Sequence, residues 1–297
     1  MKKLIIIGGP TAIGKTEAAI QLADKFHSEI ISTDARQFYK ELNVGVAKPT
    51  SLDLKKIKHH FIGHISIKQK YSVGQFEKDS LELLEQLFKN KDILFLCGGA
   101  GLYIDAVCEG LNKFPIIQEN IKEKINSDFK LKGLNCLVEE LKKNDLDTYN
   151  KIDLNNHRRI IRAVEVFRAS GKPYSYYINK KKNKRNFSTT YISLTNNREY
   201  IYNNINKRVD KMIENGLIDE AKKLYKYNHL QALQTIGYKE VFQYIESKLS
   251  KINMIEEIKK NTRRYAKRQI NWFNQKKYTP FNSNSNKKII EFIKNSM

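Results

Sequence analysis

A chain of 297 residues with 40% apolar residues is long enough to bury a sizeable core, which argues against a disordered protein. Its 54 lysines and arginines against 32 acidic residues give a net charge of +22, which favours a polyanionic partner such as nucleic acid over a merely basic surface. The cysteines have no CxxC spacing, which disfavours a disulfide framework and a cysteine zinc site and predicts a reduced cytoplasmic chain. No run approaches the ~20 apolar residues of a membrane span, which disfavours a membrane protein.

The first predicted element is a strand, loop and helix at the start of the chain. Leu4–Ile7 is an apolar run rich in β-branched residues, and a helix-compatible segment covers residues 17–26. The loop between them reads GPTAIGKT and matches the P-loop pattern GxxxxGK[ST]. Its backbone N–H groups at a helix N-terminus would hold a di- or triphosphate, with Lys15 as a cation and Thr16 as a hydroxyl ligand for Mg²⁺. The predicted phosphate site comprises Gly9, Pro10, Thr11, Ala12, Ile13, Gly14, Lys15 and Thr16; a nucleotide such as ATP and another pyrophosphate both remain open, and a plain connecting turn is the alternative.

Two more short apolar runs predict neighbouring parallel strands. EIISTD ends at Asp34, and DILFLCGG ends at Gly99 after an amphipathic helical segment, residues 75–89. Ligands bind beyond the carboxyl ends of such strands, so the P-loop, Asp34 and the GGAGLY stretch should meet around one crevice. A carboxylate there would serve as a general base or as a helix N-cap. The place where an NTPase usually carries its magnesium-binding acid is glycine, which disfavours a motor or a GTPase.

The segment HHFIGH, residues 59–64, raises the question of a metal site. His60 and His64 have the i, i+4 spacing of a helical metal pair, but Gly63 lies between them and no glutamate accompanies them. Loop or core histidines are therefore the preferred interpretation.

A change of composition after residue 112 predicts a second domain. Polar, Lys/Asn-rich helical segments fill residues 113–187 and end in KKKNKR, residues 180–185, interpreted as a flexible basic linker. A strand at 189–195 restores the α/β core, which would comprise residues 1–112 and 188–297. The rest is predicted to be helical, with a helix stop at Gly216 and one long basic helix over residues 253–274.

The long basic helix is the chief candidate for binding a polyanion. Lys260, Arg264 and Arg268 repeat at i, i+4, i+8, and the opposite face carries Ile255, Ile258, Ala266, Ile270 and Phe273. Tyr265 and Trp272 lie among the charges and are candidates for stacking on unpaired bases. A solvated basic face with no ligand is the alternative.

Together these motifs resemble the tRNA dimethylallyltransferases over nearly the whole chain. The matching segments are GPTAIGKT, STDARQFYKELNVGVAKPT, HHFIGH, GGAGLYIDAV, NNHRRIIRAVEVFRASGKPYS, TIGYKE and NTRRYAKRQINWF, in the family's order. The resemblance implies that the P-loop binds the pyrophosphate of dimethylallyl diphosphate with Mg²⁺. It also implies that N6 of the adenosine just 3′ of the anticodon is the nucleophile, and that the helical insertion closes on the anticodon stem-loop. A monomer is expected.

The resemblance also assigns residues. Asp34 would accept the proton from N6, with Lys15 and Thr16 assisting departure of the diphosphate, while Ala35, Arg36 and Gln37 would hold the extruded base. The remaining tRNA contacts would come from Arg159, Arg162, Gly237, Lys239, Lys267, Arg268, Gln269, Trp272 and Asn274. Three positions depart from the family pattern: Ala100 replaces a threonine that reaches the substrate, Ala35 replaces a serine, and Asn274 replaces an arginine.

Two other functions stay open at the level of the residues. A P-loop kinase acting on a small molecule or a nucleic-acid end would turn over nucleoside triphosphate. A nucleotide-regulated RNA-binding module would bind RNA without forming a product.

Overall fold

The computed structural model of the protein describes residues 2–178 and 184–296. The chain forms two compact units, one from residues 1–108 and 185–297 and one from residues 109–184. Residues 180–183 of the predicted basic linker lie outside the described residues. Within the described part of the chain, no helix combines the length and apolar character that a membrane crossing requires.

The larger unit is built around a parallel sheet. The described residues form six strands: β1 Lys3–Gly8, β2 Ile30–Ser32, β3 His59–His60, β4 Ile93–Cys97, β5 Ser188–Thr195 and β6 Thr279–Asn282. They lie in the order β3-β2-β4-β1-β5-β6, and every neighbouring pair is parallel. The predicted α/β fold with a parallel-sheet core is confirmed.

Helices cover both faces of this sheet, because side chains alternate along a strand. In β1, Leu4 and Ile6 join one apolar cluster, whereas Ile5 and Ile7 join the other. The helices of this unit are α1 Lys15–Lys25, α2 Ser51–Lys56, α3 Val73–Leu87, α4 Gly101–Glu109, α10 Arg198–Glu214, α11 Leu217–Leu224, α12 Tyr238–Ile245, α13 Lys251–Phe273 and α14 Asn286–Asn295.

The smaller unit is helical. It contains α5 Glu119–Lys132, α6 Leu134–Asn144, α7 Leu146–Tyr149, α8 His157–Ser170 and α9 Tyr174–Ile178. Its own apolar cluster includes Ile125, Leu137 and Ile160, each 0% exposed. This unit therefore has a core that does not depend on the sheet.

Two strands at the edges of the sheet were not predicted. β6 lies in a region expected to be wholly helical, and that expectation was wrong there. The strand is four residues long and contains Pro280, which only an edge strand accommodates, so no alternating apolar pattern marks it. β3 ends at His60 and no helix includes His64, so His60 and His64 are not a helical pair. His60 Nε2 lies 2.7 Å from Glu29 Oε2. No group of three or more metal-ligating side chains occurs among the residues described.

Candidate active site

The P-loop joins β1 to α1 in a conformation that its glycines permit. Gly9 has φ +144° and Gly14 has φ +97°, and a Cβ added at Gly9 would lie 2.8 Å from the carbonyl oxygen of Leu194. The helix α1 begins at Lys15, so the first backbone N–H groups of the helix are left for an anion. Lys15 Nζ donates to the carbonyl oxygen of Pro10 at 2.7 Å. The loop thus has the local geometry of a phosphate cradle.

A cavity of about 270 Å³ brings the predicted chemistry together at the carboxyl ends of the strands. Its wall includes Lys15 and Thr16 of the P-loop, Asp34 after β2 and Gly98 after β4. Asp34 Oδ1 accepts the backbone N–H of Arg36 at 3.0 Å, so this carboxylate both closes a turn and borders the cavity. A turn and not a helix follows Asp34, so the helix N-cap alternative is wrong, and the general-base role stays a prediction.

Burial of the cationic groups dominates the electrostatics of the cavity. Removal from water lowers the pKa of Lys15 to about 8, against the opposing effects of Cys97 and Asp34. Burial likewise lowers the pKa of Arg208, and Asp34 opposes this shift. Burial raises the pKa of the neighbouring Cys97 thiol to about 12, so this cysteine is protonated and unreactive at neutral pH. The cavity therefore holds cations that gain from the arrival of an anion.

Arg208 is a site residue that sequence reasoning missed. It borders the cavity from α10 and donates to Thr11 Oγ1 at 3.3 Å. A signal was present, because α10 buries Ile201 and Ile205, and Arg208 follows on the same helical face. An arginine on the apolar face of an amphipathic helix indicates a buried partner or ligand.

The buried glutamine of the C-terminal motif braces the phosphate loop. Gln269 is 5% exposed. Its Oε1 accepts the backbone N–H of Thr11 at 2.8 Å, and its Nε2 donates to the carbonyl oxygen of Gly99 at 3.0 Å. Both ends of the amide thus bind loops of the cavity, and contact of Gln269 with tRNA stays a prediction.

One wall of the cavity is a loop that is held at two points. Gln37, also predicted to touch the base, donates through Nε2 to the carbonyl oxygens of Val46 and Ala47 at 3.2 and 3.1 Å. At the other end, the Glu220 carboxylate accepts the consecutive backbone N–H groups of residues 43–45, each at 3.0 Å, and the hydroxyl of Tyr238 at 2.6 Å. Sequence reasoning missed Glu220 as well. This clasp fixes residues 47–49, which border the cavity.

The TIGYKE motif has mixed surroundings. Gly237 is buried at the start of α12, and its N–H donates to Glu240 Oε2 at 2.8 Å, so this N–H is paired within the protein. Lys239 is exposed on α12. Lys239 therefore faces solvent and Gly237 does not, and contact of either with tRNA stays a prediction.

The other residues assigned by the resemblance differ in their exposure. Ala100 precedes α4 and is half-buried, and Ala35 packs against an apolar cluster. Arg36 donates to the carbonyl oxygens of Gln231 and Ala232 at 3.1 and 3.3 Å, so its guanidinium is engaged with protein. On α13, Lys267 and Arg268 are exposed, as is Asn274 directly after it.

Trp272 faces a glycine of the GGAGLY stretch. A Cβ added at Gly101 would overlap with the indole, and Trp272 packs against an apolar cluster of the larger unit. Its Nε1 is buried with no hydrogen-bond partner among the described residues. Packing accounts for this ring, so stacking of Trp272 on a base stays a prediction without support from its placement.

The predicted arginines of the smaller unit lie on α8. Arg159 is exposed. Arg162 Nη1 lies 3.2 Å from Glu165 Oε2, and its guanidinium is 5.2 Å from the centre of the Phe114 ring. Within its own unit, Arg162 is therefore braced by an ion pair and an aromatic face.

Comparison with known proteins shows which family this chain resembles. A family model described as IPP transferase matches residues 37–276. A tRNA dimethylallyltransferase of Flavobacterium johnsoniae is 46% identical over 99% of this chain and 97% of its own length. The full-length tRNA isopentenylpyrophosphate transferase of Bacillus halodurans superposes with a TM-score of 0.73 at 34% identity, covering 99% of this chain and 96% of that one.

The chain is also similar to a second solved structure. It is described as a eukaryotic dimethylallyltransferase acting on tRNA, with a TM-score of 0.83 at 27% identity, and the match covers 99% of this chain and 80% of that one. These matches confirm the resemblance seen in the motifs and do not favour the kinase alternative. The chain therefore belongs to the IPP transferase family, the tRNA dimethylallyltransferases.

Proposed function

We propose that this chain transfers the dimethylallyl group of dimethylallyl diphosphate to N6 of the adenosine just 3′ of the anticodon in tRNA. The observation that carries the proposal is a single cavity bordered by a P-loop, by the Asp34 carboxylate and by the Lys15 and Arg208 cations. The P-loop and the two cations suit a bound diphosphate. The Asp34 carboxylate can accept the proton that an attacking amine must lose.

In the reaction a carbon–nitrogen bond replaces a carbon–oxygen bond, and one proton moves from nitrogen to a carboxylate. N6 attacks the allylic carbon, the bond between that carbon and the bridging oxygen breaks, and the electron pair leaves with the diphosphate. Asp34 accepts the proton that N6 loses. An aromatic amine is a weak nucleophile, so holding it in line with the allylic carbon supplies much of the rate.

The departing diphosphate gains negative charge as the bond breaks. Lys15, Arg208 and the P-loop amides surround the place for that charge with donors that are already oriented. Mg²⁺ fits this site, since Thr16 offers an exposed hydroxyl and this ion commonly takes most of its ligands from phosphates and water. When bound, Mg²⁺ would neutralise part of the charge on the leaving group.

Recognition of tRNA rests on exposed cations and on extrusion of one base. Lys260, Arg264, Lys267 and Arg268 are exposed along α13, and phosphate contacts from such residues supply affinity. The enzyme must flip its target base, which is inexpensive in an anticodon loop. We expect the smaller unit, through Arg159 and Arg162, to close on the anticodon arm. We also expect the protein to act as a monomer and in the cytoplasm. Its cysteines are thiols and not disulfides, which fits a reducing compartment.

The test is a product analysis. Purified protein is incubated with dimethylallyl diphosphate, Mg²⁺ and bulk tRNA, and the digested nucleosides are analysed by mass spectrometry. We expect N6-dimethylallyladenosine only when both substrates are present, and no product from Lys15→Ala protein. Transfer of phosphate from labelled ATP to RNA or to a small molecule, with no prenylated adenosine, would refute the proposal in favour of a kinase.

A further inference from the structure

The two aromatic residues of the basic helix have different surroundings. Trp272 packs against Gly101, whereas Tyr265 borders the same cavity as Asp34. Tyr265 is 36% exposed, so it is not enclosed in the apolar core. The difference separates a packing role from a binding role within one helix.

The register of α13 fixes Tyr265 at the cavity. Gln269 holds this helix on the P-loop and on Gly99 through both ends of its amide. Tyr265 lies four residues earlier, about 6 Å along the axis and on the same face of the helix. One turn earlier again, Asn261 Nδ2 donates to Glu240 Oε1 at 2.8 Å, so the helix is also held on the other side of Tyr265. The ring is therefore carried by backbone that is fixed both before and after it.

The charges around Tyr265 connect it to the site of proton transfer. Burial of its hydroxyl and the negative charge of Asp34 raise the pKa of Tyr265 to about 12, with smaller opposing effects of Arg36 and Arg268. The hydroxyl is thus neutral and within the electrostatic reach of Asp34. The Arg268 guanidinium lies 5.6 Å from the centre of the ring, which steadies the ring by a cation–π contact.

We infer that Tyr265 is the residue that positions the acceptor base, by stacking its ring on the extruded adenine whose N6 meets Asp34. This inference rests on the proposed function and names the contact that makes it work. A base taken from the loop loses its stacking partners, and an aromatic ring in the cavity replaces them without interfering with N6 at its edge. Neither Asp34 nor the P-loop supplies such a face.

The test uses a fluorescent base at the target position. An anticodon stem-loop RNA with 2-aminopurine just 3′ of the anticodon has no N6 amine, so it binds without reacting, and its fluorescence falls when the base stacks on an aromatic ring. We expect wild-type protein and Tyr265→Phe to quench the bound RNA, and Tyr265→Ala not to quench it at saturation. Tyr200→Ala, in which an equally exposed tyrosine outside the cavity is removed, is the matched control and should quench like wild type.

Kinetics give a second readout. With unmodified RNA, Tyr265→Ala should lower kcat/KM for RNA by about 5- to 150-fold while leaving KM for dimethylallyl diphosphate within about twofold. Tyr265→Phe should restore most of the rate, because the ring and not the hydroxyl makes the contact. Equal quenching by wild type and a folded Tyr265→Ala protein would overturn the inference, as would a Tyr265→Phe protein as impaired as Tyr265→Ala.

The same experiments separate this inference from the proposed function. A wild-type protein that forms prenylated adenosine, with quenching that does not depend on residue 265, would overturn the inference alone. A wild-type protein that quenches through Tyr265 but forms no prenylated adenosine would refute the proposed function and support the base contact.

Discussion

Because of Lys15, the affinity of the protein for dimethylallyl diphosphate should depend strongly on pH. Its pKa is lowered from 10.5 to about 8 because the ammonium is taken out of water, so the charged fraction falls as pH rises through 8. If only the protonated enzyme binds, the apparent Kd scales with 1 + 10^(pH − 8), and binding of dimethylallyl diphosphate weakens about 25-fold between pH 7.5 and pH 9.5. The terminal phosphate has lost its last proton before this range, so the ligand contributes little to the change.

The assay is isothermal titration calorimetry of the free enzyme with dimethylallyl diphosphate and Mg²⁺, without RNA, in steps of half a pH unit. Lys15→Met should bind weakly at every pH and lose the dependence. Lys207→Met, an exposed lysine on α10 in the groove beside the P-loop, should keep it. A wild-type Kd that stays constant from pH 7.5 to pH 9.5 would refute the reasoning, since Lys15 would then be charged throughout.

Three further outcomes follow from the site. Asp34→Asn keeps the oxygen that accepts the backbone N–H of Arg36, so this variant should fold and bind dimethylallyl diphosphate normally. Its rate of prenyl transfer should fall about 10²-fold. A single-turnover rate near that of the wild type would remove Asp34 from the mechanism. Replacing Arg264 and Lys267 by Ala should flatten the slope of log K against log salt for tRNA by roughly 1.5, and an unchanged slope in a folded variant would assign this face to plain solvated surface. Glu220→Gln leaves N–H groups of the 43–45 loop poorly paired, so it should lower the free energy of unfolding by about 1–3 kcal/mol in thermal melts and raise KM for dimethylallyl diphosphate. Asp219→Asn, which changes an exposed residue of the same helix, should alter neither quantity. A Glu220→Gln protein identical to wild type in both measurements would exclude a positioning role for Glu220.

The sheet core and the P-loop could be predicted because their signals are local. β1 is a continuous run of buried residues, and the glycines and Lys15 of the loop follow it at fixed spacing. Asp34 was found by a topological rule, that parallel strands end at one edge of the sheet. Such features need no knowledge of distant partners.

The parts that sequence reasoning missed depend on partners far along the chain. The hydrogen bond from Thr11 to Gln269 spans 258 positions, so nothing near Gln269 distinguishes a brace of the P-loop from a contact with RNA. Trp272 among basic residues has the composition of a nucleic-acid surface, yet its ring covers a glycine from another element. Glu220 is an ordinary residue of an amphipathic helix until the loop of residues 43–45 is folded against it.

The buried cations of the cavity also bear on how the site acts. Keeping Lys15 and Arg208 in a half-buried cavity lowers the pKa of both, which means that the folded protein holds these charges at a cost in free energy. The negative charge of a bound diphosphate offsets the free-energy cost of holding these two cations. Its attraction to them becomes stronger once the allylic carbon–oxygen bond has broken, because the oxygen has then gained negative charge. The interaction is therefore stronger in the transition state than with the intact donor, which is the condition for it to raise kcat and not only to tighten binding. Asp34 alone cannot provide this difference, because its negative charge favours the protonated amine and opposes the departing anion.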